Sequence, residues 1–294
     1  MKYLLYIFSL IAFSSCFKMD DLPFLGEKIT EYKFENYEGE NEITLPQSYN
    51  IADSNIHLMT LQSKLPNESE GETIYAVYIG NINSISNDTI IVYCHGQSKH
   101  MDAYWQRAKL LANTGSKNRF GVLMMDYRGY GLSTGKSTEE SLYQDVRTCL
   151  DWLDSKNVTS NQVIMYGFSL GTIPAIDLSA YYTVSAPNKL IIEAPMASVE
   201  NLTEEALLLD VSSTFFTSLK FDNVEKIKNV SQPLMWIHGK EDDYLSISNG
   251  EAIFERHTGT FKEPHRIDGG NHGDLPLVMG FQNYSNKVLS FISR

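Results

Sequence analysis

"VIMYGFSLGT", residues 163–172, sets one serine between two glycines at the end of an apolar run. Glycine weakens strands and helices alike through its extra conformational freedom. Two glycines around a small polar residue therefore mark a sharply bent backbone with something needing close approach. Gly167-Phe168-Ser169-Leu170-Gly171 fits the spacing G-x-S-x-G. In that pattern a strand ends, the chain turns hard, a helix begins, and the serine oxygen is presented at the bend. The run from Val163 to Tyr166 suits a strand covered on both faces. "LGTIPAIDLSAYY" can follow as a helix, because Pro174 near its first turn removes few backbone hydrogen bonds.

Working outward, the same alternation repeats. "NIHLMTLQS" and "TIYAVYIG" read as strands of an antiparallel hairpin, separated by the polar turn "LPNESEGET". "DTIIVYCHG" and "FGVLMMDYRGYG" are buried strands around a helix, "YWQRAKLLANTGS", that Gly115 can stop. "STEESLYQDVRTCLDWL" is a helix with Ser137 and Glu140 as its capping box. Leu142, Val146, Cys149 or Leu150, and Leu153 fall on one face of it. "KLIIEAP", "PLMWIHG" and "FKEPHRID" are further strands, and "SISNGEAIFERH" a further helix. Pro276 opens a last helix with Leu277, Phe281, Tyr284, Val288 and Phe291 on one side. Alternating strands and helices imply an α/β fold: a mostly parallel sheet with helices on both faces. Sites in such sheets lie at the carboxyl ends of strands.

That rule selects among the reactive residues. A serine hydroxyl is a poor nucleophile until a base takes its proton, and histidine suits that task at neutral pH. Of seven histidines, His57 and His265 sit inside strand-like runs, and His257 ends a helix. His95 and His238 precede glycines and read as structural. His272, in the glycine-rich "DGGNHGDLP" after the last strand, is the position the rule selects. "LMWIHGKEDDYL" presents Asp242 and Asp243 at another strand end, where a carboxylate could hold the histidine in one tautomer.

Over residues 55–294 the chain resembles an α/β-hydrolase of the small-cap serine esterase/lipase type. The motifs are "YCHGQS", "MDYRGYGLSTG", "YGFSLG", "FDNVEKIKNVSQPLMWIHGKEDDYL" and "GGNHGDL", in the order of that family. The resemblance implies Ser169 as nucleophile, His272 as base and Asp242, three residues beyond the glycine of His238-Gly239, as the acid. Asp243 and Glu193 are second and third candidates for the acid. It also implies an oxyanion hole from the backbone N–H groups of Leu170 and Gln97. The expected reaction is acyl transfer from a small-molecule or lipid ester to water, with no cofactor. A peptidase or acyltransferase on the same three residues, or a non-catalytic binding lipoprotein of the same fold, are the alternatives. Residues 51–294 would form the hydrolase domain, with 197–230 as a short helical cap and "ALLLDVSSTFF" as its apolar wall. In the "DYRGYG" loop, Asp126 and Arg128 read as parts of a structural turn.

Composition narrows the partners. A net charge of −12 argues against nucleic acid, since phosphate binding needs clustered Lys and Arg. "MKYLLYIFSLIAFSSC" has the composition of an export signal and is short for a membrane span. Ser14-Ser15-Cys16 resembles a bacterial lipobox, and "KMDD" the acidic export signal that follows the cysteine in some surface lipoproteins. Residues 1–15 are thus expected to be a signal peptide. Cys16 is expected to carry lipid, and 16–50 to tether the domain to a bacterial outer membrane. Cys94 and Cys149 lie in apolar patterns and read as buried thiols, a disulfide being the alternative in an oxidising compartment.

Overall fold

The strand-like stretches of the sequence become eight strands: β1 (Ile56–Ser63), β2 (Glu72–Ile79), β3 (Ile90–Cys94), β4 (Gly121–Asp126), β5 (Val163–Phe168), β6 (Lys189–Glu193), β7 (Leu234–Gly239) and β8 (Lys262–Ile267). The computed structural model describes residue 24 and residues 26–201 and 219–294. Residues 1–15, Cys16 and the centre of the expected cap, with all of its apolar wall, lie outside them. The strands form one sheet in the order β1-β2-β4-β3-β5-β6-β7-β8. β1 and β2 make the expected hairpin, and β2 also pairs antiparallel with β4. The pairs from β4 through β3 to β8 are parallel. Parallel neighbours need crossovers, and helices supply them: α1 (Trp105–Ala112), α2 (Glu139–Ser155), α3 (Thr172–Tyr181), α4 (Asn223–Lys226) and α5 (Ile247–Arg256); α6 (Leu275–Met279) and α7 (Phe281–Ile292) follow the last strand.

The period of two along a strand divides the core into two layers. Ile90, Val92 and Cys94 of β3 share one layer with Leu142, Val146 and Leu150 of α2 and Ile173 and Ile176 of α3. Ile91 and Tyr93 face the other, with Leu111 of α1 and Val288 and Phe291 of α7. Each fully buried Leu, Ile or Val contributes about 2 kcal/mol. The two apolar layers therefore carry the fold, and the polar contacts of the site are free to serve chemistry. β3 to β7 are buried along their whole length, whereas edge strand β1 alternates between covered and open positions.

Three details depart from the sequence expectations. The helix α2 is capped by Thr138 with Ser141, one residue after the expected Ser137–Glu140 box. Thr138 is the residue with extended backbone (φ −141°, ψ 166°), and Ser141 is short enough to bond back to its N–H. The last helix is two helices: Gly280 at φ +76° breaks it, and Leu277 points into solvent while Tyr284, Val288 and Phe291 are buried. Cys94 and Cys149 are buried free thiols, as their apolar patterns suggest. Residues 26–50, expected to be tether, are packed on the domain.

That packing is built from charge as well as apolar side chains. Ile43, Leu45 and Ile51 are buried in the α1 and α7 layer. Backbone N–H groups of Lys33 and Phe34 donate to the carboxylate of Asp102 at 2.9 and 2.8 Å. Lys109 and Arg107 of α1, both almost fully covered, reach Glu35 at 2.9 Å and Glu42 at 3.0 Å. The segment is a strap across α1: Glu40 to Glu42 lie beside the carboxyl edge of the sheet, and Ser48 to Asn50 end it against Asn113 and Lys117, beyond the end of α1. On the opposite side the excursion expected as a cap has a closed neck: Ser198 bridges antiparallel to Asp222, and Asn223 N–H donates to Ala197 O at 2.8 Å. Among the described residues no helix is long and apolar enough to cross a membrane.

Candidate active site

Ser169 follows β5 at once and takes the left-handed conformation, φ +51°. A non-glycine residue there is strained, and such strain persists only where the surroundings impose it. The surroundings are tight. A Cβ on Gly171 would lie 2.0 Å from the Cys94 carbonyl oxygen, and one on Gly167 2.7 Å from the Gly171 carbonyl oxygen. The two glycines thus let β3, β5 and α3 close onto one another, and the bend that results lifts the Ser169 hydroxyl off the sheet edge. Ser169–Gly171 forms a tight 3-10 turn that runs into α3, so Leu170 lies in the first turn after the serine.

The three residues read from sequence meet. His272 Nε2 lies 2.9 Å from Ser169 Oγ, and His272 Nδ1 lies 2.9 Å from Asp242 Oδ2. They come from the loops after β5, β7 and β8, at one edge of the sheet. The other two acid candidates are elsewhere. Asp243 is exposed, and its backbone N–H donates to the Asn271 side chain. Glu193 is buried against Arg107, Tyr166 and Tyr284.

Asp242 is held from four directions. Its Oδ1 accepts the backbone N–H groups of Tyr244 at 3.0 Å and Leu245 at 2.8 Å. Its Oδ2 is shared by His272 and by His238 Nε2, 3.2 Å away. Burial by itself would raise its pKa. The hydrogen bonds from His238, His272 and Leu245, with the charge of His272, outweigh that and hold the carboxyl far below the usual carboxylate range. His238 reads as structural from its sequence position; here it acts as a donor to Asp242. Its tautomer is fixed, because Trp236 Nε1–H, which can only donate, points at His238 Nδ1 at 3.4 Å. The proton therefore sits on Nε2, facing Asp242 and the Leu245 carbonyl.

Gln97 is held at the end of β3. Tyr104 OH donates to its carbonyl at 2.8 Å, and Tyr244 OH reaches its side-chain oxygen at 3.1 Å. The preceding His95 is locked between Gly96 O and the Asp126 carboxylate, which also accepts from Tyr32 and from the Met101 N–H. Asp126 and Arg128 of "DYRGYG" are thus buried scaffold, Arg128 pairing with Asp145 and Glu68. Ser169, His272, Gln97, Tyr104, Phe168 and Tyr244 line a cavity of about 350 Å³. The strap supplies part of its wall through Glu40, Asn41 and Glu42. Among the described residues no cluster of His, Cys, Asp and Glu is arranged to hold a metal ion.

Sequence comparison agrees with this architecture. The human alpha/beta hydrolase domain-containing protein 17B is 30% identical over 207 residues, 69% of this chain and 66% of that protein, so the match spans just under two thirds of the relative. Among solved structures, an esterase of Pyrococcus furiosus superposes with a TM-score of 0.68 at 17% identity, covering 92% of this chain and 97% of its own. An esterase of a Rhodococcus species, RhEst1, gives 0.61 at 18% identity over 80% of this chain and 98% of its own. At such identities the likeness is one of fold. A family profile described as "Serine aminopeptidase, S33" matches residues 85–232. That span holds the strand carrying Gln97, the whole Ser169 elbow and the neck of the cap, and the chain belongs to this family of α/β-hydrolases.

Proposed function

We propose that this hydrolase cleaves carboxylic esters through an acyl-enzyme on Ser169. The observation that carries the reading is the position of His272, within hydrogen-bond reach of both the Ser169 hydroxyl and the Asp242 carboxylate. With Nδ1–H donated to Asp242, the Nε2 lone pair faces Ser169 and takes its proton as the oxygen attacks a carbonyl. The positive charge that forms on the imidazole is stabilised by the buried carboxylate. The negative charge on the former carbonyl oxygen is assigned to the Leu170 and Gln97 backbone N–H groups. One such donor was worth about 3 kcal/mol of barrier lowering in another enzyme. His272 then gives its proton to the leaving alcohol, and water repeats the cycle to release the acid. No cofactor takes part in this scheme.

The family's description raises a peptidase reading, and the cavity's charges bear on it. A substrate with a free amino terminus needs an unpaired carboxylate. Of the carboxylates in the cavity wall, Glu40 is paired with Lys99 at 3.0 Å and Glu42 with Arg107 at 3.0 Å. Tyr104, Phe168 and Tyr244 favour an uncharged acyl group. Parallel assays with p-nitrophenyl acyl esters and aminoacyl p-nitroanilides test the point. Esters are expected to turn over at least ~100-fold faster in kcat/KM, a gap of about 3 kcal/mol; faster anilide cleavage would refute the ester reading.

We further propose anchoring through a lipid on Cys16. Support comes from the apolar run before it and the Ser14-Ser15-Cys16 pattern. The strap enters the fold beside the cavity: Glu27 N–H donates to Ser98 O, and Ser98 lines the cavity. Residue 26 lies ten residue steps after Cys16, a reach of at most about 35 Å. An anchored enzyme would thus keep its cavity near the bilayer. Cys16→Ser is expected to move the protein from the membrane to the soluble fraction; an unchanged distribution would refute lipidation at this residue.

A further inference from the structure

We infer that Arg107 is the positioning residue of His272, and that Glu42 of the N-terminal strap holds Arg107 in place. The inference rests on the reading of His272 as the base. Arg107 belongs to α1, and its side chain is 3% exposed. All three of its nitrogens are committed, each to a different element. Nη2–H donates to the carbonyl of Gly273, the residue directly after His272, at 2.7 Å. Nη1–H donates to Glu193 Oε1 at the end of β6 at 2.6 Å. Nε–H donates to Glu42 Oε2 of the strap at 3.0 Å. The flat guanidinium also lies over the Phe168 ring, 4.2 Å from its centre. That ring packs 5.3 Å from the His272 imidazole and belongs to the residue before Ser169.

The anchorage behind Arg107 is firm. Glu193 accepts from the hydroxyls of Tyr166 and Tyr284, which fix it between β5 and α7. The cation is therefore pinned to the sheet on one side and reaches the His272 loop on the other. Glu42 closes the arrangement from the cavity side and packs close against Gly273. A Cβ there would lie 3.2 Å from the Glu42 carboxyl carbon. The rest of the loop is held by itself and by the loop after β7: Asn271 N–H and His272 N–H donate to the Asp274 and Asn271 side chains, and Gly270 O and Asn271 Oδ1 accept from Glu241 and Asp243 N–H, whereas the Gly273 carbonyl is held by Arg107. The Arg107 fork thus ties the main chain next to the base to β6, and through Tyr166 on Glu193 and the Phe168 ring to β5, which leads into the nucleophile. A lysine has the charge but cannot reach three acceptors in one plane.

Arg107→Lys separates this role from simple structural support. In the full chain, measured well below its melting temperature, kcat on p-nitrophenyl butyrate is expected to fall about 100-fold with KM within twofold, the size of effect that misplacing a base brings. The second-order rate of fluorophosphonate labelling should fall in step. Glu42→Gln leaves the buried Arg107–Glu193 pair intact and serves if Arg107→Lys does not fold; it is expected to lower kcat about fivefold, again at constant KM. Unchanged kcat and labelling rate in the folded variant, or a rise in KM alone, would overturn the inference. Ser169→Ala run alongside keeps the two readings apart. If it keeps turnover, the nucleophile assignment fails; if it is inactive while Arg107→Lys is fully active, only the role of Arg107 fails.

Discussion

Ser169→Ala will reduce ester turnover on the order of 10⁶-fold, the loss seen when the nucleophile of a comparable three-residue unit is removed. The substitution deletes one oxygen and leaves the site's other contacts in place. His272 remains hydrogen-bonded to Asp242, and Asp242 remains held by His238 and two backbone donors. Folding should not suffer. At φ +51° the serine conformation is strained, and alanine meets the same strain without new bulk. The melting temperature is therefore expected to stay within a few degrees, about 1 kcal/mol of stability. Thermal denaturation and p-nitrophenyl ester hydrolysis on the same preparation check both halves. A variant that keeps more than a hundredth of the activity would show that another group attacks the carbonyl.

Asp242→Asn is the second large effect, and its cause can be traced atom by atom. Oδ1 accepts two backbone N–H groups, so an asparagine must keep its oxygen there. Its amide NH₂ then falls where Oδ2 was, facing His272 Nδ1 and His238 Nε2. His238 cannot yield, because Trp236 holds its proton on Nε2. His272 must move its own proton to Nε2, and the lone pair that faced Ser169 is lost. The same change of tautomer in an unrelated serine hydrolase lowers kcat by about 10⁴, and a similar loss is expected here. A fall of less than tenfold would mean that Asp242 does not set the tautomer. pH gives an independent check. Because its partners hold Asp242 far below the usual carboxylate range, it stays ionised above about pH 4. On the acid side log kcat/KM of the wild type should therefore fall with a slope of one, and a slope of two would show the carboxylate titrating with the base.

The sheet was legible in the sequence because its signals are local. β2 to β7 are short apolar runs closed by glycine, proline or a polar turn, whereas β1 alternates and β8, Lys-Glu-Pro-His-Arg-Ile, is mostly polar; Ser169 stands directly after such a run, and Asp242 and His272 stand in the loops that follow β7 and β8. What escaped depends on contacts between distant segments. The strap has no apolar period, since Glu35 and Glu42 dock on α1 through charge while Ile43, Leu45 and Ile51 supply scattered apolar anchors. Arg107 carried one usable sign: a charged residue in a helix whose neighbours Trp105, Ala108 and Leu111 are all buried. His238 was legible as a histidine at a strand end. Its donation to Asp242 follows only from the turn at residues 242–245 that folds the carboxylate back onto it. The break at Gly280 was hidden because the apolar spacing continues across it, although a positive φ there ends one helix before the next begins.

Ser169 and His272 stand or fall together on one mass-spectrometric measurement. The full chain is treated with a fluorophosphonate, digested, and the modified residue located, with His272→Ala treated in parallel. The predicted result is a single stoichiometric adduct on Ser169 that forms at least ~1,000-fold more slowly without the base. An adduct on another residue, or labelling of Ser169 at the same rate in His272→Ala, would contradict the assignment.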